Sequence, residues 1–196
     1  MKTQNKDTLS TLTLAQLGEL FPIHLQSYSR HWPRRYWAEQ KRITKAIGSA
    51  IVRISHYGST SVPGLMAKPT IDILLEVIPS VDIQWLDEQC AHLGYRSSYQ
   101  PHNPAPHRMY MKGYTAQGYQ GQAYHLHVRY PGDWDELYFR DYLIDHPEVA
   151  KQYSLLKQEL SQRYRTDREA YTEAKTLFIR EYTLIARREY GNRYTT

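Results

Sequence analysis

Hydrophobic residues along the chain form continuous, alternating and helically spaced patterns. Near-continuous apolar runs at about residues 50–57 and 70–78 are rich in Ile, Val and Leu, which predicts two central strands of a sheet. Three shorter β-type patterns predict further strands, at about residues 95–99, 107–113 and 122–130. The composition of residues 115–121 is typical of a hairpin loop, and the alternation over residues 23–28 predicts an edge strand.

Helical spacing accounts for most of the remaining chain. Thr13 and Gln16 have the spacing of a capping box, which predicts a short helix ending near Leu20. Pro33 marks the first turn of a second helix, and Gly48 is typical of its end. Residues 82–93 predict a third helix, because their apolar positions recur at helical spacing.

From residue 134 onward the pattern is mainly helical, and Pro147 predicts the start of a new helix. Strands followed by a block of helices predict an α+β fold, with a mixed β-sheet flanked by helices and a helical C-terminal extension. We predict a flexible N-terminal tail over residues 1–12, because that segment is polar, and a single domain over residues 13–196.

The loop between the two apolar strands carries the most specific chemistry. Gly58-Ser59 ends the first strand, and twelve residues separate it from Asp72, which lies at the start of the second. A Gly-Ser turn offers backbone N–H groups and hydroxyls to an anion, and Thr60 and Ser61 add two more hydroxyls. An ionised Asp in a buried strand needs a partner or a cation. This stretch therefore predicts half of a site for phosphate and metal.

The residues Gly-Ser-Thr-Ser-Val-Pro-Gly-Leu-x-x-Lys-Pro-x-x-Asp, at 58–72, closely resemble the signature of the GrpB-like family of the nucleotidyltransferase superfamily. The resemblance extends from about residue 23 to 185 and implies the core sheet of that superfamily with added helices. The superfamily pattern also implies a second acid two positions after Asp72, but position 74 is Leu. Glu76 shares the face of Asp72, four residues further along the strand, where the alternative is a carboxylate that faces water.

His125 and His127 alternate along a predicted strand, so both lie on one face. Two imidazoles at this spacing can ligate one metal ion, and the alternative is a pair of half-buried, hydrogen-bonded histidines. The family resemblance implies that they stand where nucleotidyltransferases carry their third acid. We therefore predict Asp72, His125 and His127 as metal ligands and catalytic residues. The metal would be Mg²⁺ or Mn²⁺, with Zn²⁺ a further candidate because imidazole suits softer ions.

Several cations are candidates for binding the anionic part of a ligand. Lys68 precedes the strand of Asp72, so it can bind an anionic oxygen or act as the structural counterion of that carboxylate. Arg140 lies in the sequence Phe-Arg-Asp-Tyr-Leu, which matches a family helix. Its guanidinium can bind a phosphate or carboxylate group, and the alternative is an ion pair with Glu136. The spacing Tyr-x-x-x-Lys occurs twice, with its lysines at Lys157 and Lys175. These lysines either close over an anionic ligand or lie at the surface.

Composition narrows the classes of function. A mean hydropathy of −0.69 and the lack of an apolar run of membrane length predict no membrane association. One cysteine and the lack of a signal-peptide pattern favour the cytoplasm. The net charge of +5 permits an anionic partner, but the eighteen tyrosines are dispersed, which argues against a nucleic-acid surface. His102 and His107 lie in a Pro-rich stretch that predicts a loop, and oligomeric state is left open.

These observations favour a nucleotidyltransferase-like protein that binds a nucleotide or another phosphate-bearing small molecule together with a divalent metal. Transfer of a nucleotidyl group is one possible activity. The alternatives are a non-catalytic nucleotide- or anion-binding module that lost the second acid, and a His-pair metal-dependent enzyme of another reaction type.

Overall fold

A five-stranded mixed sheet is the centre of the computed structural model, which describes residues 8–98, 106 and 108–195. Its strands are β1 (Ile51–Tyr57), β2 (Thr70–Val77), β3 (Arg96–Ser98), β4 (Arg108–Thr115) and β5 (Gly118–Arg129). They lie in the order β1-β2-β5-β4-β3, and only the β2–β5 pair is parallel. Both predicted apolar segments are confirmed as strands, but only β2 lies in the interior of the sheet; β1 is an edge strand, so its predicted central position is wrong.

Seven α-helices surround the sheet in the described residues. They are α1 (Leu14–Leu20), α2 (His31–Ile47), α3 (Ile83–His92), α4 (Asp135–Asp145), α5 (Pro147–Arg163), α6 (Arg168–Glu173) and α7 (Thr176–Tyr190). The predicted capping box is confirmed, because the Thr13 side chain accepts from the Gln16 amide and the Gln16 side chain accepts from the Thr13 amide. Asp82 caps α3, and Pro147 is the first residue of α5.

The two faces of the sheet have different roles because side chains alternate along each strand. Ile71, Ile73 and Leu75 of β2 are fully buried, and they join Leu126 and Val128 of β5 in the main core with α2 and α3. The other face carries the polar side chains of β2 and β5. A second core cluster lies on that side, among α4, α5, α7 and the loop between β1 and β2. The predicted site residues Asp72, His125 and His127 therefore lie on the face of the sheet toward the C-terminal helices.

One local prediction is wrong, and a predicted hairpin loop is confirmed but shorter than expected. Residues 23–28 do not form an edge strand, since Gln26 makes only an isolated bridge to Ala67. The predicted loop over residues 115–121 is a two-residue turn, because β5 begins at Gly118 and pairs back to Thr115.

The N-terminal segment predicted as a flexible tail includes a 3₁₀ helix at Thr8–Thr11, and Leu9 packs against the cluster of Phe21 and Tyr114. Residues 1–7, His102 and His107 lie outside the described residues. In the described part of the chain, no helix combines the length and apolar character that crossing a membrane requires.

Candidate functional site

Strand register brings Asp72 and the two histidines together. The parallel pairing of β2 with β5 sets Asp72 beside His125, and Leu74 beside His127 one row further along. The His125 Nδ1 atom lies 3.1 Å from the Asp72 Oδ1 atom. Asp72, His125 and His127 each offer one ligand atom, and these atoms lie within 4.8 Å of one another. We call these three residues the triad.

The triad has the composition of a metal site with open positions. Two imidazole nitrogens and one carboxylate oxygen suit Zn²⁺, Mn²⁺ or Fe²⁺, and three protein ligands leave positions for ligand oxygens. The side chains of Asp72 and His125 are 25% and 13% exposed, so solvent and ligand can reach them. The residues present therefore fit a divalent ion.

Tyr114 of β4 contacts the other side of the His125 ring. Its hydroxyl lies 2.7 Å from His125 Nε2, and the two rings stack at 5.6 Å. With a metal ion bound beside Asp72, an N–H at His125 Nε2 that donates a hydrogen bond to Tyr114 would leave the Nδ1 lone pair for the ion. Tyr114 is not predicted from the sequence, because its position beside His125 depends on the long-range pairing of β4 with β5.

The pKa shifts of Asp72 and His127 suit metal binding at neutral pH. Burial raises the pKa of Asp72, but the hydrogen bond from His125 and the nearby charges of His125, His127 and Lys68 outweigh that effect, so the pKa is lowered. Burial lowers the pKa of His127 to about 4, although Asp72 partly opposes this change. An ionised carboxylate and a neutral imidazole are the forms that ligate metals.

The glycine of the predicted anion loop is required where it lies. Gly58 has a φ of +70°, in the region that favours glycine. A Cβ atom at this position would lie 3.0 Å from the carboxyl carbon of Asp72. Gly58 therefore allows the loop backbone to approach the triad closely.

The three predicted loop hydroxyls have different surroundings. Ser59 accepts a hydrogen bond from Lys157 at 3.0 Å and lies near the triad. Thr60 is buried and donates to the Thr70 carbonyl at 3.1 Å, and Ser61 donates to the Gly58 carbonyl at 2.6 Å. Of the predicted phosphate ligands in this loop, Ser59 therefore lies toward the site, while the hydroxyls of Thr60 and Ser61 support the loop itself.

Three lysines from separate elements lie close enough to one another to repel: Lys68 before β2, Lys157 in α5, and Lys175 before α7. We call them the lysine cluster. Lys157 is 2% exposed, and its ammonium group donates to Ser59 Oγ and to the Met66 carbonyl. The Nζ atoms of Lys68 and Lys175 both lie over the ring of Tyr171, at 5.6 and 4.2 Å from its centroid. Both Tyr-x-x-x-Lys motifs thus place their lysines in the site rather than at the surface.

The lysine cluster is electrostatically strained. Burial, followed by the repulsion of neighbouring cations, lowers the pKa of Lys68 and of Lys157 to about 7. Burial lowers the pKa of Lys175 to about 8, and Arg168 contributes to this change. Asp72 offsets part of the effect at Lys68 and Lys175. An added anion would relieve the repulsion that remains.

Glu76 is neither a ligand nor a group that faces water, so the alternative drawn from the sequence is wrong. It is completely buried and binds the Arg53 guanidinium through two hydrogen bonds. The Gly132 amide and the Trp134 indole also donate to it, at 3.0 and 3.1 Å. These partners lie far from Glu76 in the sequence, and Glu76 fixes the segment before α4 to the sheet.

The guanidinium of Arg140 also binds other groups of the protein. Its guanidinium donates to Asp141 at 2.7 Å, to the His56 carbonyl at 2.9 Å and to the Tyr194 hydroxyl at 2.8 Å. The predicted ion pair with Glu136 does not form, since Arg129 binds Glu136 at 2.6 Å. Arg140 thus connects α4 to β1, and all three of its nitrogen groups already have partners.

Comparison with known proteins agrees with this architecture. A sequence model of the GrpB protein family matches residues 22–184. The chain resembles the UPF0157 protein PA4798 of Pseudomonas aeruginosa, with 43% identity over 146 residues that cover 74% of this chain and 59% of that protein. It is 32% identical to the glutamate-rich protein GrpB of Alkalihalophilus pseudofirmus, over 81% of this chain and 92% of that protein.

The chain spans about half to three-fifths of the length of the first curated relatives that it matches. Among solved structures, the crystal structure of conserved protein GrpB from Enterococcus faecalis superposes with a TM-score of 0.75 at 26% identity. That match covers 85% of this chain and 99% of the other. The resemblance and the fold class predicted from the sequence are both confirmed.

Proposed function

The chain belongs to the GrpB protein family, and from this premise we propose that it binds a phosphate-bearing small molecule, a nucleotide, together with a divalent metal. The observation that carries the proposal is the lysine cluster beside the triad. Lys157 donates to Ser59, Lys68 and Lys175 lie close enough to lower the pKa of Lys157, and Asp72 offsets part of the pKa change at Lys68 and Lys175. A bound polyphosphate would supply the missing negative charge.

This arrangement gives each group of the site a distinct role in binding. The lysine cluster and Ser59 hold the phosphate oxygens by charge and hydrogen bonds, and Gly58 lets the ligand approach the backbone. Asp72, His125 and His127 hold the divalent ion, which supplies Lewis-acid polarisation of a phosphate oxygen when bound. Tyr114 orients His125 for that task.

Nucleotidyl transfer is the reaction that this arrangement fits, with in-line attack on the α-phosphate and the lysines neutralising the charge that develops. One observation favours a second candidate function, which is binding without transfer. Leu74 is 1% exposed and stands in the row of His127, where a second acid would be expected. A protein that keeps the phosphate site but lacks that acid would bind its nucleotide without turning it over.

Calorimetry with nucleoside triphosphates and Mn²⁺, Zn²⁺ or Mg²⁺ tests the proposal. We expect metal-dependent binding to the wild type, with affinity reduced at least tenfold in Asp72→Asn, which keeps the shape but removes the charge. Asp87→Asn, at a half-exposed carboxylate on α3, is the matched control and should bind as the wild type does.

The proposal fails if no triphosphate binds with any of the three metals. If binding occurs, the release of pyrophosphate in the presence of candidate acceptors separates the two functions. Turnover that is lost in Asp72→Asn supports transfer, and stable binding without product supports the binding module.

A further inference from the structure

A largely apolar cavity of about 330 Å³ opens beside the phosphate loop. It lies between the end of β1 and helices α4, α5 and α7. Its lining includes three aromatic side chains and three aliphatic ones: Tyr57, Phe139, Tyr153, Val62, Leu143 and Ile179. Its volume is at the lower end for ligand-binding pockets, which suits one ring system rather than an extended chain.

The cavity is continuous with the proposed phosphate site. Gly58 and Ser59 line it, and Ser59 is the residue that Lys157 binds at 3.0 Å. Tyr57 forms another part of its wall, and the Tyr57 ring meets the edge of His127 at 5.6 Å. A ligand with its phosphates on Ser59 and the lysine cluster would therefore place its remaining atoms at the mouth of this cavity.

The walls favour a flat aromatic group. Phe139 and Tyr153 meet edge to face, with ring centroids 5.3 Å apart, and Tyr57 adds a third ring. Aromatic walls stack with planar rings and gain little extra from a flexible alkyl chain.

The polar end of the cavity points to the same ligand class. Asp135 and Glu136, the first residues of α4, lie in the lining. Burial raises the pKa of Glu136, but the hydrogen bond and charge of Arg129 outweigh this effect and lower it, so the carboxylate is ionised and accepts hydrogen bonds. A purely aliphatic group would desolvate this end without replacing its hydrogen bonds, whereas a ring with N–H groups can donate to it.

We propose that this cavity binds the base of a nucleotide whose phosphates lie on Ser59 and the lysine cluster. The inference rests on the proposed function and specifies the organic part of the ligand. It assigns recognition of the base to α4, α5 and α7, which lie outside the sheet that carries the triad.

The test compares ATP, CTP, GTP and UTP with inorganic tripolyphosphate, all with Mn²⁺, by calorimetry. We expect at least one of the four nucleotides to bind the wild type at least tenfold more tightly than tripolyphosphate, because the aromatic walls of the cavity can stack with the base. Ile179→Trp fills the cavity and should remove this difference while leaving tripolyphosphate affinity unchanged. Leu177→Trp is the matched control, because Leu177 is 81% exposed on the same helix and outside the lining.

The possible failures are distinguishable. If tripolyphosphate does not bind the wild type, the phosphate site itself is refuted. If tripolyphosphate binds and no nucleotide binds more tightly, only the base cavity is refuted; this comparison needs no variant and does not depend on how Ile179→Trp folds. Full nucleotide affinity in a folded Ile179→Trp protein would also overturn the inference.

Discussion

Replacing Lys157 with methionine should stabilise the ligand-free protein near neutral pH and destabilise it in alkali. The reason is the lowered pKa of this buried lysine, which is about 7 in the folded protein against an ordinary value of 10.5. Between these two values the unfolded chain binds a proton at Lys157 that the folded protein does not. The free energy of unfolding of the wild type therefore rises with pH across this window.

The magnitude follows from the size of the shift. At 1.36 kcal/mol per pH unit, the cost of Lys157 to the folded protein is about 4 kcal/mol at pH 7, where the buried lysine is half protonated, and falls to about 1 kcal/mol at pH 10. Methionine has a similar shape and carries no such cost, but it loses the hydrogen bonds to Ser59 and to the Met66 carbonyl, worth about 1–3 kcal/mol together. We expect Lys157→Met to be more stable than the wild type by about 2 kcal/mol at pH 7 and less stable by about 1 kcal/mol at pH 10.

Denaturant unfolding at both pH values measures this difference. The matched control is Lys151→Met, at an exposed position on the same helix, whose effect should be small and nearly independent of pH. The decisive quantity is the change in the stability difference with pH, because the lost hydrogen bonds contribute equally at both values. A difference that is the same at pH 7 and pH 10 would refute the electrostatic argument.

Two further predictions concern the ligands. Tyr114→Phe removes the hydroxyl that orients His125 but keeps the buried ring, so we expect affinity for Mn²⁺ or Zn²⁺ to fall about tenfold or more with little change in melting temperature; unchanged metal affinity in calorimetry would contradict this role. Affinity for tripolyphosphate should fall as pH rises from about 6 to about 9, because the lysine cluster loses its protons at pKa values of about 7 and 8. A flat pH profile would show that these lysines do not bind the anion.

Local pattern was sufficient to predict the sheet strands and the residues of the triad. Ile71, Ile73 and Leu75 alternate with Asp72, so the face of the carboxylate followed from the two-residue period. The same two-residue period wrongly predicted a strand at residues 23–28. Alternation occurs there without a neighbouring strand, and only Gln26 forms a bridge. A strand needs a partner, and the partner is not encoded in the segment itself.

The surroundings of the predicted site residues depended on distant parts of the chain. Glu76 is held by Arg53 and by the segment before α4, and Arg140 is held in part by Tyr194 near the C-terminus. Lys157 and Lys175 were visible in the sequence as a repeated Tyr-x-x-x-Lys spacing. Their proximity to each other follows from the packing of α5 against the segment before α7, which spacing within one helix does not predict.

Other buried charges in this protein are paired with opposite charges, and the contrast with the lysine cluster supports an anionic ligand. Glu39 is 3% exposed and binds Lys112 at 2.7 Å, and Glu76 is completely buried and binds Arg53. At these two places an opposite charge from a distant part of the chain meets the buried one, as the cost of desolvation requires. The lysine cluster differs, because burial and the repulsion of neighbouring cations lower the pKa of each member despite the presence of Asp72. A fold that neutralises buried charges elsewhere gives up stability here, and the function that would recover that stability is the binding of an anion beside Asp72.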